Sequence, residues 1–308
     1  MLEYKIESCS RKEVFCMKVK KAVILAAGLG TRMLPATKSV PKELIPIVDK
    51  PALQYLVEEC VKSGIEDIMI VISRGKTLIE DHFDRSPELE DRLKAGGAKK
   101  AKLLETVNEI SNMANIVYVR QKKMNGTGGA LMYAREFTGN DPFAVLYGDD
   151  VIMNDEYPVV KQLCDAYEKY GKGVCGVQAV SEEAIQRYCT LAVDHIEDNR
   201  YYVSDMIEKP TKEQILSYYS ILGRLVLTPE IYSVLEKTPL GAGDELQLTD
   251  AMKTVAQTER MVAVDFVGKR YDMGNKLGVM QAQVETALKH PEIGADFREY
   301  LKEIAKTL

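Results

Sequence analysis

Apolar and polar positions follow two alternating periods along this chain. Short apolar runs bounded by charged or turn-forming residues recur through the first half: KAVILAA (21–27), IEDIMIVIS (65–73), NIVYVRQ (115–121) and PFAVLYGDD (142–150). Each is too short for a helix and rich in β-branched or aromatic residues, which predicts strands. Between them, PALQYLVEECVKSG (51–64) carries apolar residues at helical spacing, opened by Pro51 and stopped by Gly64. A helical stretch then runs toward Phe83. The Lys/Glu-rich segment 86–110 is expected as a helical insertion, and GTGGALMYAREF (126–137) as a Gly-rich turn and a helix. Apolar strands separated by helices indicate a parallel sheet covered on both faces.

The second half is mixed. A helix over residues 159–170 leads to the strand GVCGVQAV (173–180). TLAVDHI (190–196) and YYVSDMIEKP (201–210), joined by EDNR, read as an antiparallel hairpin. The strand SILGRLVL, the helices TPEIYSVLEK and DELQLTDAMKTVAQ, and the strand MVAVDFVG follow. YDMG then precedes the helix NKLGVMQAQVETALKH, and ADFREYLKEIAKTL closes the chain as a helix that could serve as an oligomer contact. With no internal repeat and no Pro/Gly/Ser linker, residues 17–308 are expected to form a single α/β domain: a mixed, mostly parallel sheet flanked by helices, ending in C-terminal helices. Residues 1–16 are charged throughout and lack an apolar signal core, so they are expected to be a disordered or loosely packed leader, with Met17 an alternative start.

In such sheets ligands sit beyond the carboxyl ends of the strands. That rule gathers four loops at one edge: GLGTR after 21–27, VRQKKMNGTGG after 115–121, YGDD, and later IEKP. The first is the most telling. Gly28-Leu29-Gly30 follows an apolar strand, as in phosphate-binding loops, yet two common signatures fail. The dinucleotide fingerprint needs Gly or Ala where Met33 stands, an unbroken helix where Pro35 stands, and an acid at the tip of the second strand, where Arg74 follows instead. A Walker loop is absent. What remains is a stiff loop with Arg32, Lys38 and Lys42 among Pro35, Pro41 and Pro46, suited to a polyphosphate held by side chains as well as backbone.

The net charge of −5 gives no electrostatic footprint for a nucleic-acid duplex, so a polyphosphate site must be a local basic patch. No apolar stretch is long enough to span a membrane. The six cysteines show no C-x-x-C pairing, which argues against zinc and a disulfide scaffold and for a reduced, cytoplasmic setting. His82, His195 and His290 are scattered without ligand spacing and are expected to be structural.

Four strings carry candidate chemistry, each with a bland alternative. In YGDD, one carboxylate, Asp149 rather than Asp150, would face a polyphosphate through magnesium, which takes one or two carboxylates plus phosphate oxygens and water. A turn or cap pair is the alternative. In IEKP, Lys209 would hold a phosphate and Glu208 sugar hydroxyls, unless the two form a solvated ion pair. In YDMGN, Asp272 is a second metal carboxylate or a helix cap. Gln121 offers a donor and an acceptor to the imide edge of a pyrimidine, with Gly126 and Gly128 allowing close backbone approach, or the segment is an ordinary Gly-rich turn.

Taken together and in order, AAGLGTRMLPATKSVPKELIPIVDKP, VRQ with its glycine turn, GDD, EKP, GRLVLTPEIY, GAGDELQLTDAM and YDMGNKLGVMQA resemble the bacterial UTP–glucose-1-phosphate uridylyltransferases (UDP-glucose pyrophosphorylases), a branch of the sugar nucleotidyltransferases. The resemblance runs from Lys20 to about His290. It implies a Rossmann-like nucleotidyltransferase fold, transfer of uridylyl from UTP to glucose 1-phosphate, magnesium, and a homodimer or homotetramer. Among the residues it implies, Ala27, Gly28, Leu29, Gly30 and Thr31 form the triphosphate loop, with Arg32, Lys42 and Lys209 catalytic. Gln121 and Gly126 contact uracil, Asp149 and Asp272 hold the metal, and Gly148, Glu208 and Lys209 hold the sugar phosphate. Two positions depart from the family pattern. The base loop reads Gly126-Thr127-Gly128-Gly129-Ala130 where the family commonly has Gly-Leu-Gly-His-Ala, and Cys189 follows Tyr188 where the family usually has a glycine against the sugar. Thymidylyl or cytidylyl transfer to a sugar 1-phosphate, and a catalytically silent nucleotide-binding paralogue, therefore stay open. A dehydrogenase is disfavoured by the first loop.

Overall fold

The structure, a computed structural model, describes residues 17–307; the expected leader, residues 1–16, lies outside them. Nine strands form the main sheet: β1 (Lys21–Leu25), β2 (Asp67–Ile72), β3 (Asn115–Arg120), β4 (Phe143–Tyr147), β5 (Val174–Ala179), β6 (Cys189–Glu197), β7 (Arg200–Glu208), β8 (Tyr219–Leu227) and β9 (Met261–Asp265). Their spatial order is β3-β2-β1-β4-β8-β5-β9-β7-β6. The strands β3, β2, β1 and β4 are mutually parallel. Only β8 and β7 run against the other seven, so the sheet is mixed and mostly parallel in direction.

The pattern of β1 shows why its sequence is almost continuously apolar. Ala22 and Ile24 point into one core and Val23 into the other, all fully buried. Helices Ala52–Lys62 and Val159–Tyr170 cover the first face, and helices Gly126–Leu131 and Leu248–Glu259 the second. Each fully buried Leu or Ile on these faces contributes about 1.5–3 kcal/mol. The insertion is two helices, Pro87–Ala95 and Ala101–Ser111.

Three differences from the sequence pattern bear on the site. First, the strand before YGDD ends at Tyr147. Asp150–Met153 is a separate short strand, paired antiparallel with Lys269–Asp272 and placing Asp150 opposite Asp272. Second, the helix expected from Asp244 begins at Leu248. Residues 242–247 are a turn whose backbone pins the loop after β3: Leu246 N donates to Asn125 O at 2.8 Å, and Gly128 N to Leu246 O at 2.9 Å. Third, the β6–β7 hairpin turns on Asp198 and Asn199 alone, with Asp198 at φ 46°, a conformation Asp tolerates in tight hairpins. Pairing of β7 with β9 stops at Val203, and a bulge between Val203 and Asp205 bends the hairpin. Because β7 runs against the parallel strands, the carboxyl-end rule does not bring IEKP to the site. The bend does, carrying Cys189 to within 3.3 Å of Ser220 (N to Oγ) near the start of β8.

Candidate active site

Where β1 ends, the chain rises out of the sheet into the first loop. Ala26 N still donates to Val71 O at 2.9 Å. Gly30 takes φ 68°, which favours glycine, and a Cβ on it would stand 3.2 Å from both Lys42 Cβ and Thr37 Cγ2, so these side chains would have to give by a few tenths of an ångström. Under the loop lies Lys76, only 7% exposed. Its Nζ donates to Ala26 O at 2.6 Å, Gly28 O at 2.7 Å and the two Glu43 carboxylate oxygens at 2.8 and 2.9 Å. Burial raises the Glu43 carboxyl and lowers the Lys76 ammonium; their mutual attraction opposes both shifts without overcoming either. This buried pair fixes the loop from below and leaves its upper side open.

Asp149 and Asp272 converge beside that loop. Met273 N donates to Asp149 O at 2.8 Å, which ties the two acidic segments together. Lys42 Nζ lies 2.5 Å from Asp149 Oδ2, while the two ends of the Arg32 guanidinium lie 3.8 Å from Asp149 Oδ2 and 3.8 Å from Asp272 Oδ2. Burial pushes the Asp149 carboxyl up, but Lys42 and Arg32 together outweigh it and hold the group below the usual carboxylate range. Asp150 lines the same cavity as Arg32, Asp149 and Asp272 but is paired differently. It takes Arg270 at 2.6 Å, and burial pushes its carboxyl up to about 6 even so. Asp272 is not the cap of the following helix: Asn275 takes that part, its Oδ1 accepting from Gly278 N at 2.7 Å.

A divalent cation fits this pair. A Cβ built on Gly274 would sit 2.5 Å from Arg32 Nη2, 2.8 Å from Asp149 Oδ2 and 2.9 Å from Asp272 Oδ1, so glycine at 274 is what lets these three groups converge. Among the described residues no third Asp, Glu, His or Cys joins them. Two carboxylates with the remaining positions left to phosphate and water is a donor set that suits magnesium.

Three cavities open around these groups. One of 220 Å³ is lined by Ala27, Gly28, Lys42, Gln121, Gly126 and Asp149, together with Met124, Tyr147 and Glu245. A second, of 370 Å³, is lined by Arg32, Asp149, Asp272 and Lys209, with Arg187, Tyr188 and Arg270. A third, of 100 Å³, lies between Glu208, Cys189, Tyr188, Gln247 and Thr249. Tyr147 lines all three, and Asp149 lines both the first and the second, so the three cavities adjoin. Burial raises the Glu208 carboxyl, with Thr249 and Lys209 opposing. Lys209 holds φ 46°, a left-handed backbone uncommon for a non-glycine residue, secured by its amide donating to Tyr188 O at 2.7 Å. Leu29, Thr31, Lys38 and Gly148 line none of the three. Leu29 and Lys38 are exposed, Thr31 opens the 3-10 turn carrying Arg32, and Gly148 lets β4 close on β1, where a Cβ would stand 2.9 Å from Leu25 O.

A nucleotidyl transferase family model matches residues 21–288. The chain belongs to the nucleotidyl transferase family. It is 50% identical over 287 residues to the UTP–glucose-1-phosphate uridylyltransferase of Staphylococcus epidermidis (strain RP62A), covering 93% of this chain and 99% of that protein. To the Bacillus subtilis (strain 168) enzyme of the same name it is 51% identical over 276 residues, 90% of this chain and 94% of that one. Among solved structures, UDP-glucose pyrophosphorylase complexed with UDP-glucose superposes with a TM-score of 0.81 at 38% identity, covering 88% of this chain and 100% of that one. UTP-bound UGPase from Acinetobacter baumannii gives 0.85 at 35% identity, over 92% and 99%.

Several residues around these cavities carry no clear signal in the sequence. Lys76 was missed although it sits in the loop after β2, at the same sheet edge as the others; the carboxyl-end rule points to it. Gly274 lies inside the YDMGN string, but only geometry shows what its missing side chain leaves free. Arg187 and Arg270 carried no signal beyond their charge. Among the described residues no helix is long and apolar enough to cross a membrane.

Proposed function

We propose that this chain transfers a uridylyl group from UTP to α-D-glucose 1-phosphate, giving UDP-glucose and pyrophosphate. The observation that carries the reading is the convergence of Arg32, Lys42, Asp149 and Asp272 between a cavity containing Gln121 and one containing Lys209. The base and triphosphate go to the first cavity, where the Gln121 carboxamide meets the imide edge of uracil. The sugar phosphate goes to the second, with Lys209 on its phosphate and Glu208 on sugar hydroxyls in the adjoining pocket.

A phosphate oxygen of glucose 1-phosphate attacks the α-phosphorus in line. The new O–P bond forms as the bond to the bridging oxygen of the β-phosphate breaks, and pyrophosphate leaves with that electron pair. The nucleophile is already an anion, so no general base is required. The obstacle is bringing two polyanions together, which positioning and charge stabilisation overcome. Arg32 and Lys42 neutralise charge at the α-phosphate and the departing pyrophosphate. Lys209 aligns the attacking phosphate. Asp149 and Asp272 would hold a magnesium ion, which when bound neutralises phosphate charge. A homodimer or homotetramer is the assembly expected of the resemblance. A reduced, cytoplasmic setting fits Cys60, Cys164, Cys175 and Cys189, all buried free thiols.

The test is product identity. Incubation with UTP, glucose 1-phosphate and magnesium, followed by phosphorus NMR, should show UDP-glucose and pyrophosphate appearing in equal amounts. Hydrolysis of UTP without a sugar nucleotide would refute the reading.

A further inference from the structure

Asn125 precedes the helix Gly126–Leu131, in the place where an Asn side chain ordinarily accepts from an amide of the first turn. It makes no such bond. The Gly128 amide that it would cap donates to Leu246 O at 2.9 Å instead. The Asn125 carboxamide is turned over Gly129: a Cβ on Gly129 would stand 2.1 Å from its Oδ1, 2.4 Å from its Cγ and 2.6 Å from its Nδ2. Its backbone is held as well, with Leu246 N on Asn125 O at 2.8 Å. From there Oδ1 accepts from Gln121 Nε2 at 3.3 Å. Gln121 is 5% exposed and lines the 220 Å³ cavity.

We infer that Asn125 is a positioning residue that fixes the Gln121 carboxamide in one of its two orientations, and thereby makes the cavity choose an imide pyrimidine over an aminopyrimidine. The inference rests on the uridylyl-transfer reading. A free carboxamide can turn over and exchange its donor for its acceptor. Uracil presents N3–H as a donor beside carbonyl acceptors. Cytosine presents N3 as an acceptor beside a 4-amino donor. Each can make two hydrogen bonds to an amide, but in opposite senses. While Asn125 presents Oδ1 to Nε2, as it does in this structure, one Nε2 hydrogen is taken and the other hydrogen and Oε1 face the base in a single order. In one base pose, the order that pairs with the imide leaves cytosine donor against donor and acceptor against acceptor. Thymine shares the imide edge, so this device separates UTP from CTP and leaves dTTP to other contacts. Glycine at 129 is part of the device, because any side chain there would occupy the space of the Asn125 carboxamide.

The experiment compares kcat/KM for UTP and for CTP, by pyrophosphate release with glucose 1-phosphate and magnesium, in the wild type and three variants. Taking the ratio cancels any general loss of active protein. In Asn125→Ala the UTP-over-CTP ratio should fall about fivefold or more, the scale of one net hydrogen bond. Gly129→Ala should reproduce the fall, since its methyl displaces the carboxamide without touching Gln121. Asn125→Asp, which can only accept, should keep the ratio. An unchanged ratio in both alanine variants, with a wild type that prefers UTP, overturns the inference alone, as does an Asp variant that behaves like Ala. A wild type with no preference for UTP overturns it together with the reading on which it rests, and the wild-type measurement by itself tells these cases apart.

Discussion

A single methyl group at Gly274 should silence the enzyme while leaving it folded. The Cβ of Gly274→Ala would arrive 2.5 Å from Arg32 Nη2, 2.8 Å from Asp149 Oδ2 and 2.9 Å from Asp272 Oδ1, where ordinary contact begins at 3.4 Å. Each of the three charged groups must therefore retreat by about half an ångström to one ångström, and they cannot close around a cation while doing so. A misplacement of about 1 Å in a catalytic constellation costs about 10²-fold in rate. Gly274 has no left-handed backbone, so alanine brings no conformational strain, and the groups in its way are side-chain ends rather than backbone. Stability should change by no more than about 1 kcal/mol, or about 2–4 °C in melting midpoint for a domain of this order of size. Steady-state pyrophosphate release should fall at least about 10²-fold, with the magnesium concentration for half-maximal rate rising. Turnover within about threefold of wild type would show that the space between the two carboxylates is not used. A collapse of the melting midpoint would show that Gly274 is there for packing.

Arg32→Ala and Asp149→Ala should each lower turnover by at least about 10²-fold, the cost of losing one stabilising group in the transition state; near-normal turnover in either would remove that residue from its assigned part. Lys209→Ala should raise KM for glucose 1-phosphate and leave that for UTP in place, and the opposite split would mean that the two pockets have been assigned in reverse. Lys76→Met would strand Glu43, which is fully buried, without its cation. Urea unfolding should register a loss of about 3–5 kcal/mol, and a variant as stable as wild type would show that the pair does not hold the loop.

How much of this was readable beforehand follows from how local each signal is. The strands β1, β2 and β4 are legible because both faces of the sheet are buried there, so their residues are almost continuously apolar, whereas the edge strand β3 has no fully buried residue and is legible from its β-branched and aromatic run. The carboxyl-end rule then placed Gly28, Gln121 and Asp149 at one edge, and they line one cavity. Glu208 lines a cavity beside that one although its strand runs the wrong way for the carboxyl-end rule, and a bulge at Val203–Asp205 bends the hairpin. A bulge leaves no periodic trace. The helix expected from Asp244 starts only at Leu248, because tertiary hydrogen bonds of Leu246 to Asn125 and Gly128 hold the preceding residues in a turn. Lys76, Gly274 and Asn125 act through contacts that include residues far along the chain, such as Glu43 for Lys76, Leu246 for Asn125, and Arg32 and Asp149 for Gly274. Spacing along a chain cannot carry that information.

The most direct measurement is pyrophosphate release with glucose 1-phosphate and magnesium, run in parallel with UTP, dTTP, CTP and ATP. The account predicts strong preference for UTP, with UDP-glucose as the sugar nucleotide formed. Preference for another nucleotide would keep the chemistry and contradict the base assignment, and no release with any of the four would contradict the assigned reaction itself.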